Sequence, residues 1–167
     1  LTNDHVVQGA TSIEVTVEST GATFTADVVG TDATADVAVL QLRDAHGLDP
    51  VTVDDDGVAV GDAVHSTGNA GGTGDLLTAR GTVTATDQAI TVASETGSGS
   101  ESLSGLLEIS ADVVAGDSGG PLRDAEGEVV GIVTAASSGS STVTGYAIPV
   151  DDALAVARQI ESGQAGG

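Results

Sequence analysis

The sequence has no cysteine, so a disulfide framework, a thiolate metal site and a cysteine nucleophile are all excluded. Lysine is absent too, and the 4 basic residues, all arginine, stand against 25 acidic ones for a net charge of −21. Such a chain cannot neutralise a row of phosphates, which excludes electrostatic nucleic-acid binding and disfavours docking on an anionic membrane. One Phe, one Tyr and no Trp leave no stacking platform for bases. No apolar run reaches the roughly 18 residues of a membrane-spanning helix. No signal peptide is visible, and an apolar start at Leu1 reads as a fragment of a longer chain.

What the chain does have is 40% hydrophobic residues, mostly Val, Ala, Leu and Ile, and 24 glycines. That is enough apolar material for one core within 167 residues, broken by many turns. The acidity has two readings, adaptation to high salt or the bias of a secreted protein, and both concern solubility rather than fold. Ser12–Glu18 alternates as a half-buried strand. Further β-branched runs occupy Thr23–Val29, Val37–Leu42, Val51–Val53, Ala63–Thr67, Gly81–Thr86, Ala89–Ala93, Leu106–Ser110, Val129–Ala135 and Thr144–Val150. Short strands at this spacing predict an all-β sandwich or barrel. A helix is expected only at the end, capped by Asp151 or Asp152, with Ala153, Leu154, Val156, Ala157 and Ile160 as its apolar face. Thr67–Gly74, Ser94–Gly105 and Ala136–Ser141 read as loops, and Ser162–Gly167 as the start of a linker.

The strongest chemical signal is Gly116-Asp117-Ser118-Gly119-Gly120-Pro121. A nucleophilic serine needs an exposed tight turn whose backbone N–H groups converge where an oxyanion forms, and flanking glycines permit that turn. A bare Ser-Gly-Gly would be an ordinary turn; the full string is far more specific. The serine needs a base. Of the three histidines, His46 sits in a polar turn and His65 on a surface or edge strand, leaving His5 within Thr2-Asn3-Asp4-His5-Val6-Val7. The base needs a carboxylate to orient it. Asp36, which directly abuts the apolar run Val37–Leu42, is preferred to its rival Asp32. Asp54-Asp55-Asp56-Gly57 lacks the alternating ligands of a calcium loop and reads as a solvated turn, so no metal site is expected.

Taken in order, T-N-D-H-V-V, D-V-A-V-L-Q-L and G-D-S-G-G-P-L resemble the trypsin/chymotrypsin-fold serine proteases. G-N-A-G-G, G-T-V-T-A, V-V-G-I-V-T-A-A and G-Y-A-I-P-V narrow the resemblance to the bacterial HtrA/DegP-like branch, and the G-D-S-G-G variant to its secreted actinobacterial members. The resemblance covers essentially the whole chain. It implies a chymotrypsin-like fold of two antiparallel six-stranded β-barrels and a C-terminal helix, the first barrel spanning about residues 1–66, the second about 76–150 and the helix about 151–162. The first barrel is expected to be incomplete, because family members carry further strands before the histidine motif, and this truncated form to be weakly active or inactive.

The same resemblance implies a serine endopeptidase acting on proteins or peptides, with His5 as base, Asp36 as its orienting acid, Ser118 as nucleophile and the Gly116 and Ser118 N–H groups as oxyanion hole. No cofactor is expected. Asp112 falls where trypsin-like members place an acidic S1 base, which would select Arg or Lys; HtrA-like members have a small apolar residue there and prefer small aliphatic side chains. Val113, Thr134, Ala135 and Ala136 would line that pocket. Asp117 replaces a common Asn and would need a partner, such as Arg80. An extracellular or cell-envelope location, a PDZ domain beyond the linker and oligomerisation are further family expectations. The rival reading is a catalytically inactive module that holds peptides in the cleft.

Overall fold

In the computed structural model, residues 1–72, 74–93, 100–111, 113–137 and 144–163 are described. A four-residue helix, α1 (Asp4–Val7), precedes the first strands. Ile13, Val15 and Val17 alternate with exposed Glu14 and Thr16 to make β1 (Ile13–Val17), which pairs antiparallel with β2 (Ala22–Asp32). β2 pairs in turn with β3 (Val37–Leu42), whose register slips at a bulge between Val28 and Gly30. These three strands form one sheet in the order β1-β2-β3.

The other six strands are β4 (Ala63–Gly68), β5 (Leu77–Ala93), β6 (Ser100–Ile109), β7 (Pro121–Arg123), β8 (Val129–Ser137) and β9 (Thr144–Pro149). They close into a barrel in the order β4-β5-β6-β9-β8-β7, antiparallel throughout. Closure leaves no unpaired edge in this unit. Val64, Val83, Leu107, Ile109, Leu122, Val130 and Val133 fill its interior. The all-β plan is thus realised as a three-stranded sheet and a closed six-stranded barrel.

Several boundaries differ from the sequence reading. β4 belongs to the closed barrel, so the division between the two units falls before Ala63 rather than after residue 66. The runs at Gly81–Thr86 and Ala89–Ala93 are one long strand, β5, which bends through three register shifts, with Asp87 at a positive φ of 55°. Val51–Val53 forms no strand; only Val53 makes an isolated parallel bridge, to Val129. The segment read as a loop from Ser94 is already strand from Ser100, and Ala136 and Ser137 of the other belong to β8. Residues 94–99 and 138–141 of those two loops lie outside the described residues. His65 is not on an edge, since β4 is hydrogen-bonded to both β5 and β7.

The C-terminal helix α2 (Val150–Glu161) is preceded by Pro149 at the cap, so Asp151 and Asp152 occupy the first turn, where the helix dipole favours them, and not the cap. Ala153, Ala157 and Ile160 recur at helical spacing and are buried. They pack with Val37 and Val39 of the open sheet and with Leu103, Leu106, Ile132 and Ile148 on the outside of the barrel. β6 and β8 are therefore covered on both faces, which is why their sequences run apolar without clean alternation. At Gly30 the helix approaches so closely that a β-carbon would lie 2.8 Å from Ile160 Cγ2. Ile160→Ala is expected to cost about 2–5 kcal/mol of stability in urea unfolding. The exposed neighbour Gln159→Ala should change it by less than about 0.5 kcal/mol.

Candidate active site

Residues Thr2 and Ala38 exchange two backbone hydrogen bonds, Thr2 N–H to Ala38 O at 3.1 Å and Ala38 N–H to Thr2 O at 2.8 Å. This bridge sets the N-terminal segment beside the start of β3. Asp32 Oδ1 accepts from the N–H groups of Thr34 and Ala35 at 2.9 and 3.0 Å, shaping the turn before β3. Asp36 closes that turn at a positive φ of 54°, a conformation that Asp tolerates better than most residues. Asn3 Nδ2 donates to Asp36 O at 3.0 Å from a fully buried position.

The result is a close pair. His5 Nδ1 lies 2.9 Å from each Asp36 carboxylate oxygen, and the His5 backbone N–H donates to Asp36 Oδ1 at 3.1 Å. A carboxylate only accepts, so Nδ1 carries a ring proton directed at Asp36. The Asp36 side chain is 4% exposed and that of His5 24% exposed. A third donor, the buried Thr134 hydroxyl, bonds Asp36 Oδ2 from β8 across the boundary between sheet and barrel. The sequence puts Thr134 on a pocket wall; in the structure its hydroxyl also serves the carboxylate, a role that nothing local in the sequence signals.

Ser118 lies on the turn preceding β7, and its hydroxyl donates to the backbone carbonyl of the same Thr134 at 3.2 Å. The turn needs its glycines. Gly116 has a φ of 100°, and a β-carbon there would lie 2.2 Å from Asn69 O. Gly119 has a φ of 82°, and a β-carbon there would lie 2.2 Å from Thr2 Oγ1, so the N-terminal segment and the serine turn pack directly together. Asp117 N–H donates to Val114 O and Gly119 N–H to Val133 O, whereas the N–H groups of Gly116 and Ser118 have no acceptor among the described residues.

The other predicted positions fare differently. Asp112 lies outside the described residues. Val113 is 2% exposed and packs in the barrel core, so its side chain is directed away from any open pocket; the exposed neighbour is Val114. Residues 134–136 continue along β8 from the serine's acceptor. Asp117 is buried and accepts from Val114 N–H at 2.9 Å, so its carboxylate is served by backbone in place of an arginine. His46 is exposed, against Phe24 and Asp44 O.

The chain is similar to known proteins over nearly all of its length. A family model described as a trypsin-like peptidase domain matches residues 1–132. The periplasmic pH-dependent serine endoprotease DegQ of Escherichia coli is 33% identical over 163 residues, covering 96% of this chain and 34% of the relative. The serine protease Do-like HtrA of Bacillus subtilis is 34% identical over 166 residues, covering 97% of the chain and 36% of the relative. The chain thus spans about a third of the length of these relatives. Among solved structures, the HtrA-type protease AlgW with a tripeptide superposes with a TM-score of 0.81 at 33% identity, covering 97% of this chain and 52% of that one. A serine endoprotease from Yersinia pestis gives 0.80 at 28% identity, covering 96% and 53%.

Removing the Thr134 hydroxyl would leave a buried carboxylate short of a donor. Thr134→Val is expected to destabilise the chain by about 1–3 kcal/mol, read from the shift of its urea midpoint.

Proposed function

The chain belongs to the trypsin-like peptidase family, on its HtrA-type branch, and from that premise we propose that it is a serine endopeptidase with Ser118 as nucleophile, His5 as base and Asp36 as the acid that orients the base. The observation that supports this best is the His5–Asp36 pair, with both carboxylate oxygens 2.9 Å from Nδ1.

In this reading the Ser118 oxygen attacks the scissile carbonyl carbon while its proton passes to His5 Nε2. The imidazolium that forms is stabilised by Asp36, which stays ionised. The oxyanion of the tetrahedral intermediate is held by the N–H groups of Gly116 and Ser118. His5 then returns its proton to the leaving amine. A water molecule hydrolyses the acyl-enzyme by the same route.

Residues 134–136 would form one wall of the S1 pocket and Asp112 its base. A peptide library varied at P1 separates the two substrate classes. Cleavage after small aliphatic residues is the HtrA-type outcome, and cleavage after Arg that disappears in Asp112→Ala is the trypsin-type one. A location in the cell envelope or outside the cell is proposed from the E. coli relative, which is named periplasmic.

A fluorophosphonate probe should label the chain at Ser118 and fail to label Ser118→Ala. Ser118→Ala is expected to lower kcat on a protein substrate by about six orders of magnitude. Asp36→Asn should lower it by about 10⁴. Asp32→Asn should cost little, because that carboxylate only caps the turn at Thr34 and Ala35. Peptide binding without labelling would replace the hydrolase reading with that of an inactive peptide-holding module.

A further inference from the structure

Besides the residues of the site above, the fold gathers a second set of acids. Asp54 lies in the segment leading into β4, and Asp124 and Glu128 lie in the turn joining β7 to β8. One carboxylate oxygen from each of the three lies within 4.8 Å of the others. Backbone bonds fix both segments. Asp54 N–H donates to Val129 O at 3.1 Å, and Val129 N–H donates to Thr52 O at 2.9 Å. Within the β7–β8 turn, Asp124 N–H donates to Glu128 O at 3.1 Å, and Glu128 N–H donates to Asp124 Oδ1 at 2.8 Å.

Asp54 is not the solvated residue that its sequence neighbours suggest, being only 7% exposed. Its Oδ2 accepts from Gly57 N–H at 2.8 Å. Its Oδ1 is buried and has no hydrogen-bond partner among the described residues. A buried carboxylate oxygen without a donor is costly unless something positive meets it. No basic side chain does so: the ion pairs among the described residues are His5–Asp36 and Arg43–Asp27, and Arg123, beside Asp124 in sequence, joins neither.

Carboxylates only accept, so three brought this close, with a buried oxygen of Asp54 unmet by any donor among the described residues, form a ligand set for a cation.

We propose that Asp54, Asp124 and Glu128 hold a hard divalent cation of the calcium class, which ties the segment before β4 to the β7–β8 turn. Three carboxylates with no nitrogen or sulfur donor suit such an ion and disfavour zinc-like ones. The ion would bind to the folded barrel and stabilise it by mass action. The proposal is independent of the peptidase reading.

The test is calcium titration of the chelator-treated, intact protein at constant ionic strength, by calorimetry and thermal unfolding. One saturable site is expected, with a dissociation constant on the order of 10⁻⁴–10⁻³ M or tighter and a rise in Tm. Asp54→Asn should weaken binding by at least about tenfold, comparable to loss of a ligating carboxylate. In case Asp54→Asn fails to fold, Glu128→Gln, at a half-exposed position, should have the same effect. Glu126→Gln removes an equal charge from the same turn without touching the three ligands, and should leave affinity unchanged. No saturable binding would overturn the site. An equal loss in all three variants, or an equal Tm rise with sodium at matched ionic strength, would reduce the effect to general screening.

Discussion

The Asp36 carboxylate is the constraint from which the rest of this structure follows. It is almost wholly buried, and a buried charge persists only when its lone pairs are met. Here they are met from two units of the fold: His5 through its ring and backbone N–H groups, and Thr134 from the barrel. Asn3 holds the backbone of the same residue. The Thr134 hydroxyl reaches Asp36 only when the open sheet and the closed barrel meet in one orientation. The apolar contacts of α2 supply that orientation, since the helix packs on β2 and β3 of the sheet and on β8 and β9 of the barrel.

Thr134 concentrates this dependence. Its side chain serves Asp36 and its carbonyl accepts from Ser118, so one residue of β8 links the acid and the hydroxyl. The glycines of the serine turn then settle local clearance: with a side chain at Gly119 the turn would collide with Thr2, and with it the segment that carries His5. The pieces separated along the chain are thus held against each other by contacts that leave little room for substitution.

Much of this was legible in the sequence because the informative features are local. The Gly116–Pro121 string, the polar insert around His5 and the apolar run after Asp36 each declare themselves within six or seven residues. The choice of Asp36 over Asp32 followed from adjacency to a buried strand, and the two carboxylates do take different surroundings. What stayed hidden depends on distance or on burial. Thr134 meets Asp36 across 98 residues, and no pattern near either one announces it. Val113 looked like a pocket residue by register, but the barrel interior claims it. Asp54 looked solvated amid like charges, and only the bridge between Val53 and Val129 carries it inside. Strand β5 read as two because bulges and the left-handed Asp87 break its alternation without breaking its pairing.

The division of labour between the two units also bears on how the molecule comes apart. The barrel is closed and has its own core, whereas the sheet is three strands that rely on α2 and on the buried carboxylate for much of their hold. Protection against solvent exchange should therefore be graded, with amides of the sheet opening before those of the barrel. Because His5 and Asp36 sit on the weaker side and Ser118 on the stronger, partial opening would part the imidazole–carboxylate pair from the serine turn while most of the polypeptide kept its shape. Separation at the seam would then be an early and reversible event in unfolding.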